Sequence, residues 1–215
     1  LTYKNMKTKE ITIPTSWSEI ELKTFRAYTM YKAQNKEVTA LEEKMFCVEL
    51  FCNLTTEEVR SLNIQDLNNV YGDLIKILDD KNAQIKFEQT FKFKGKEYGF
   101  VPNLSKLSTG EWVDYEELMK QGGYWENAHK IMSILFRPIT KKRGKKYSIE
   151  DYNDEHINEH SEDFLSLTMD RVIGAQSFFF RLGIDLLETL RTYTLAEKEK
   201  RSIKKGLEKS KLITQ

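Results

Sequence analysis

The residues best suited to chemistry are His156-Ile157-Asn158-Glu159-His160. On a helix, H-x-x-E-H sets two imidazoles one turn apart, where they can share a zinc ion while the glutamate acts as a base. The surroundings argue against that use. Residues 150–163 are acidic and polar, with no apolar face to wall a dry cleft, and five-residue patterns match often by chance. A zinc hydrolase is therefore the remote alternative. Cys47 and Cys52, five apart on a predicted helix, do not face each other. Their apolar neighbours make them reduced core thiols, as in a reducing compartment. Lys141–Lys146 and the run 198–211 can contact phosphates through charge, but they lack interleaved aromatics that would stack bases. Nucleic-acid binding through these two runs is the leading alternative function. His129 reads as a structural histidine. No glycine-rich phosphate loop, cofactor motif or nucleophile context is present, so no catalytic, cofactor or metal residues are expected.

The composition sets the class. The 215 residues carry 34 Lys and Arg against 33 Asp and Glu, a net charge of +1, so no global field draws the chain to nucleic acid or an anionic membrane. Hydrophobic residues make up 40% and charged residues 31%, which is too apolar for disorder. This length can bury a sizeable core. No apolar run reaches membrane length and nothing resembles a signal peptide. Leu1 in place of methionine is read as a trimmed or unusual start.

Several elements must position those residues. Residues 1–12 read as a flexible arm. Thr15 or Ser16, with Glu19, can cap a helix carrying Ile20, Leu22, Phe25, Tyr28 and Tyr31. Ala40–Cys52 presents Leu41, Met45, Val48, Phe51 and Cys52 on one face. Thr55 and Glu58 open a short helix, and residues 64–80 form a longer one. The period then changes to two, and Ile85–Val101 reads as a β-hairpin turning at Lys94–Glu97. Ser108 or Thr109 opens a helix over 111–120, which Gly122-Gly123 ends. A helix over 125–136 stops at Arg137-Pro138. Lys141–Lys146 reads as a basic turn and Tyr147–Ile149 as a short strand end. Phe164–Thr194 reads as a long helix apolar on most sides, hence buried, while Asp170, Arg171, Arg181, Asp185 and Glu188 exclude a membrane span. The expected fold is mainly α: one multi-helix domain over 13–194 around that buried C-terminal helix, one hairpin insertion at 85–101, and a charged helical or frayed tail over 195–215.

Three stretches, Ile13–Trp17, Phe100–Asp114 and Trp125–Ile139, give the chain a layout that resembles small assembly and virion-associated proteins of tailed bacteriophages, of the type found in phages of Bacteroidetes hosts. The resemblance implies a non-enzymatic tail-assembly chaperone, hub-assembly factor or head–tail connector part. It implies other phage structural proteins as partners and a place in the host cytoplasm during assembly or in the virion. It carries no functional residues. From the residues themselves, the aromatic load allows self-association, the basic runs allow weak nucleic-acid contact, and no membrane partner is expected. The hairpin edges and the loop after them are the expected partner surface, through Lys92, Lys94, Lys96, Asn103, Lys106 and Trp112. The competing reading is that the hairpin only caps the helical core.

Overall fold

A computed structural model of the chain describes residues 2–4, 10–35, 37–80, 85–102, 107–153 and 160–182. The chain divides into two compact units, 1–174 and 175–215. In the second, the described residues 175–182 are helical, with Ala175 and Phe179 buried and Phe180 exposed.

The first unit begins with two short antiparallel strands, β1 (Thr2–Lys4) and β2 (Glu10–Thr12), inside the segment read as an arm. Helices α1 (Leu22–Gln34), α2 (Ala40–Cys52), α3 (Thr56–Arg60) and α4 (Ile64–Leu78) follow, then, after a hairpin, α5 (Thr109–Lys120) and α6 (Tyr124–Leu135). Local chemistry starts most of them. Thr39 with Glu42, Thr55 with Glu58 and Ser108 with Glu111 form full capping boxes, each side chain answering the other's backbone N–H. The Asn63 side chain caps α4 by accepting from the Asp66 N–H. Helix α1 packs against both α2 and α6, and α2 against α4. Rings mark these contacts: Tyr31 stacks on Phe46 at 3.8 Å, and Phe25 meets Trp125 edge-on at 4.9 Å. Leu41, expected on the inner face of α2, is instead 48% exposed.

The expectation of a mainly α fold with one hairpin is overturned. Strands β3 (Thr90–Phe93), β4 (Lys96–Phe100), β5 (Phe136–Arg143) and β6 (Lys146–Ile149) make a four-stranded antiparallel sheet in the order β3-β4-β5-β6, so the fold is mixed α and β. The hairpin is also shorter than read, because residues 85–89 are outside its strands. Strand β5 leaves α6 without a loop, passing from Leu135 directly to Phe136. Proline is disfavoured inside sheets because it lacks an N–H. Here the Pro138 carbonyl accepts from the Glu150 N–H at 2.9 Å, just past the end of β6. The missing donor thus faces the end of β6, and no bond to β4 is lost.

The apolar face of the sheet is aromatic. Phe91 lies 5.0 Å from Phe136, Phe100 5.2 Å from Phe136, and Tyr98 5.0 Å from Phe164. A register shift between Ile139 and Lys141 bends β5, as bulges do. The Tyr147 ring then lies over Gly99, where an added Cβ would overlap a ring carbon. The Tyr147 hydroxyl donates to the Phe100 carbonyl at 2.7 Å.

The long helix expected from Phe164 is broken. Residues 160–164 are helical, 165–168 turn, and 169–182 are helical again; 183–194 lie outside the described residues. The turn is pinned from a distance. The Leu165 and Leu167 carbonyls accept from the Lys23 and Leu22 N–H groups, each at 2.8 Å, and the Met169 N–H donates to the Ile20 carbonyl. Those are the first donors of α1, whose N-cap Glu21 makes no side-chain cap bond, so backbone from the far end of the unit satisfies them. Glu19 meanwhile bonds the Thr15 N–H and hydroxyl rather than pairing with Ser16.

Candidate functional site

Two surfaces collect the residues singled out above. The first lies at the turn of the β3–β4 hairpin. Lys92, Lys94 and Lys96 are exposed there. In the register, Lys92 faces Glu97 and Phe93 faces Lys96. The turn holds Lys94 at φ 45° and Gly95 at φ 79°, positive at both central residues as a type I′ turn requires. The Lys94 ammonium pairs with Asp163 at 2.5 Å. The run read as a basic turn is a hairpin of its own: β5 and β6 joined through Gly144 (φ 60°) and Lys145. Its Lys142 pairs with Glu97 of the neighbouring strand.

The second surface is α5 and the cleft beside it. Glu111 is 3% exposed and has two tasks: one carboxylate oxygen accepts the Ser108 N–H at 2.6 Å, and the other lies 2.7 Å from the Arg137 guanidinium. This ion pair ties the start of α5 to β5. The Arg137 guanidinium also lies over the Tyr152 ring, 5.7 Å from its centre, and the Tyr152 hydroxyl donates to Asp114. The open cleft around them holds about 560 Å³ and is lined by Val101, Tyr147 and Ile149 among others. Glu111 is the one fully buried residue of α5, whereas Trp112 and Val113 are 46% and 44% exposed. The Trp112 indole N–H donates to Glu116 at 2.8 Å, across one turn of the same helix.

The expected partner residues therefore do not form one patch. The hairpin lysines stand at the turn end of the sheet. Helix α5 with Trp112 is anchored through Arg137, which pairs with Gly99 at the other end of β4. Asn103 and Lys106 lie outside the described residues, as do His156, Glu159 and the run 198–211. His160 is partly buried, with the Tyr98 ring 6.0 Å away. Among the described residues, no group of three or more His, Cys, Asp or Glu side chains is placed to hold a metal.

Burial sets the ionisable chemistry. It pushes the Cys47 thiol up to about 12, with Cys52 nearby adding to the effect, and the Cys52 thiol up to about 12. Neither is a thiolate nucleophile at neutral pH. Burial, with Arg26 and Lys130 nearby, lowers His129 to about 4, and its Nδ1 has no hydrogen-bond partner among the described residues. Among the described residues, no helix is long and apolar enough to cross a membrane.

Sequence reasoning missed the Glu111–Arg137 pair and the β5–β6 hairpin. Glu111 was visible only as the first residue of a helix, and Arg137 only as the end of one. Nothing local indicates that they meet. No family model, curated protein or solved structure matches the chain.

Proposed function

We propose that the chain is a non-enzymatic protein–protein interaction component of tailed-phage particle assembly, acting in the tail or head–tail neck region. The carrying observation is the inverted burial of α5. This helix buries a glutamate and leaves a tryptophan and a valine side by side in solvent. Aromatic residues are enriched where protein partners meet, and an indole at the centre of a contact is a common source of binding energy. The ion pair beneath fixes the helix to the sheet, so the exposed face is presented on a rigid support. The sequence resemblance to phage assembly proteins supplies the setting: phage structural proteins as partners, met in the host cytoplasm during assembly.

Mass spectrometry of purified particles and of sedimenting assembly intermediates tests this. The chain is expected in one of the two fractions, and Trp112→Ser with Val113→Ser should remove it while leaving its helical circular dichroism intact. A chain that stays in the unassembled fraction throughout infection would overturn the reading. Presence in finished particles marks a permanent component, and presence only in intermediates marks a chaperone.

A further inference from the structure

Two basic segments far apart in sequence meet at one end of the sheet, and we infer that this end binds nucleic acid through its phosphates. Strands β4 and β5 run antiparallel with Tyr98 opposite Pro138, so the β3–β4 turn and the distal half of β5 point the same way. The Lys142–Glu97 ion pair spans the two strands at that end. Lys92, Lys94 and Lys96 thereby join Lys141, Lys142, Arg143, Lys145 and Lys146, all exposed. Glu97 engages Lys142 and Asp163 engages Lys94. Lys92, Lys96, Lys141, Arg143, Lys145 and Lys146 engage no carboxylate among the described residues. A net charge of +1 over the whole chain conceals this concentration.

Two of these cations sit where they cost local stability. Lys94 occupies a left-handed turn position that asparagine or glycine fills with less strain. Arg143 lies directly opposite Lys146, and like charges so placed destabilise a strand pair. The strain at Lys94 is offset by its pair with Asp163, whereas Arg143 opposite Lys146 has no such offset; a local rule broken without compensation points to function.

The occupant follows from charge and shape. Lys141 and Arg143, alternate residues of one strand, are spaced about 6.7 Å apart, which suits a regularly charged backbone. Tyr147, the aromatic residue of β6, is engaged on Gly99 and the Phe100 carbonyl, so no base is stacked and the contact is sequence-independent. A two-stranded ribbon also fits the major groove of a duplex. This inference stands apart from the assembly role.

Fluorescence anisotropy of a labelled duplex of arbitrary sequence, titrated with the full chain between about 50 and 200 mM salt, tests it. Binding should weaken steeply with salt. Replacing Lys141, Arg143, Lys145 and Lys146 together by serine should reduce affinity at least tenfold at low salt. It should also flatten the slope of log K on log salt by about 0.9 for each phosphate that is no longer neutralised. Lys23→Ser with Lys76→Ser, which break ion pairs elsewhere, should change neither, and circular dichroism should show all variants folded. If the fourfold variant binds as tightly as the parent, the affinity resides elsewhere, as in the run 198–211, and the inference fails. It fails equally if no duplex is bound at low salt. Competition by polyglutamate as effective as by unlabelled duplex would overturn it in favour of an acidic protein partner.

Discussion

The two hairpins of the sheet share an architecture and differ in what holds them. In β3–β4, Phe91, Tyr98 and Phe100 turn inward and are each no more than 5% exposed. The outer part of the β5–β6 hairpin, its arm, has no comparable face: Phe136 and Pro138 are buried where β5 begins, but residues 140–146 are all exposed. Its anchors are the Tyr147 ring over Gly99, the hydroxyl bond to Phe100 and the Lys142–Glu97 pair. A two-stranded ribbon alone is marginal in water. The first hairpin is therefore core, and the second is a surface device that borrows stability from it. Stability and binding should then respond to different residues.

The largest effect expected is from Phe91→Ala. Deleting a buried ring next to Phe136 and Tyr98 should cost about 3–5 kcal/mol in urea unfolding, whereas Lys141→Ala on the arm should stay within about 0.5 kcal/mol. Equal losses would erase the distinction. Next comes Gly99→Ala, whose new methyl meets the Tyr147 ring. Overpacking there should cost about 1–3 kcal/mol. Adding Tyr147→Ala should make the double variant better than additivity, and strict additivity would mean that the ring does not rest on Gly99.

Acid probes the element that feeds β5. The folded pKa of His129 in α6 is about 4 against an ordinary 6.5, so the unfolded chain takes up the proton first. This contribution is complete above about pH 6.5 and is lost as pH falls from there toward 4. The urea midpoint should fall across that window, and less so in His129→Asn; superimposable pH profiles would acquit the histidine. The smallest effect expected is from Lys146→Glu. Replacing a like-charge pair with an opposite one should stabilise the arm by about 0.2–1 kcal/mol while weakening duplex binding. A variant that is more stable and binds as well as the parent would blur the contrast.

What was legible in the sequence was local. The box of Thr55 and Glu58 is a pattern of neighbouring residues, and α3 begins where it predicts; the boxes at Thr39 and Ser108 are equally local, though only the helices after them were read. The alternation of Phe91, Phe93, Tyr98 and Phe100 marked the first hairpin because one face is buried. Strand β5 had no such signal. Its outer half is rich in lysine, a residue depleted in strands, and pairing with β6 across the Gly144-Lys145 turn imposes its conformation. The break at 165–168 was hidden for the same reason, since the groups that need those carbonyls are Leu22 and Lys23. Lys92, Lys94 and Lys96 were individually visible as exposed cations. Their meeting with Lys141–Lys146 depends on the β4–β5 register, and their separation from Trp112 depends on the Glu111–Arg137 tie.

The capping of α1 by the Leu165 and Leu167 carbonyls has a consequence for biogenesis. A nascent chain emerges from the ribosome N-terminus first, and domains generally fold as units during synthesis. Helix α1 is made well before the acceptors for its first N–H groups, which follow only after α2 to α6 and the sheet. Until they arrive, its leading turn is frayed and its entry toward Ile20 unfixed. The closing of that long loop is entropically costly and belongs to late folding. Ribosomes stalled before residue 165 should therefore display α2 to α4 protected from proteolysis while the start of α1 is still cleavable.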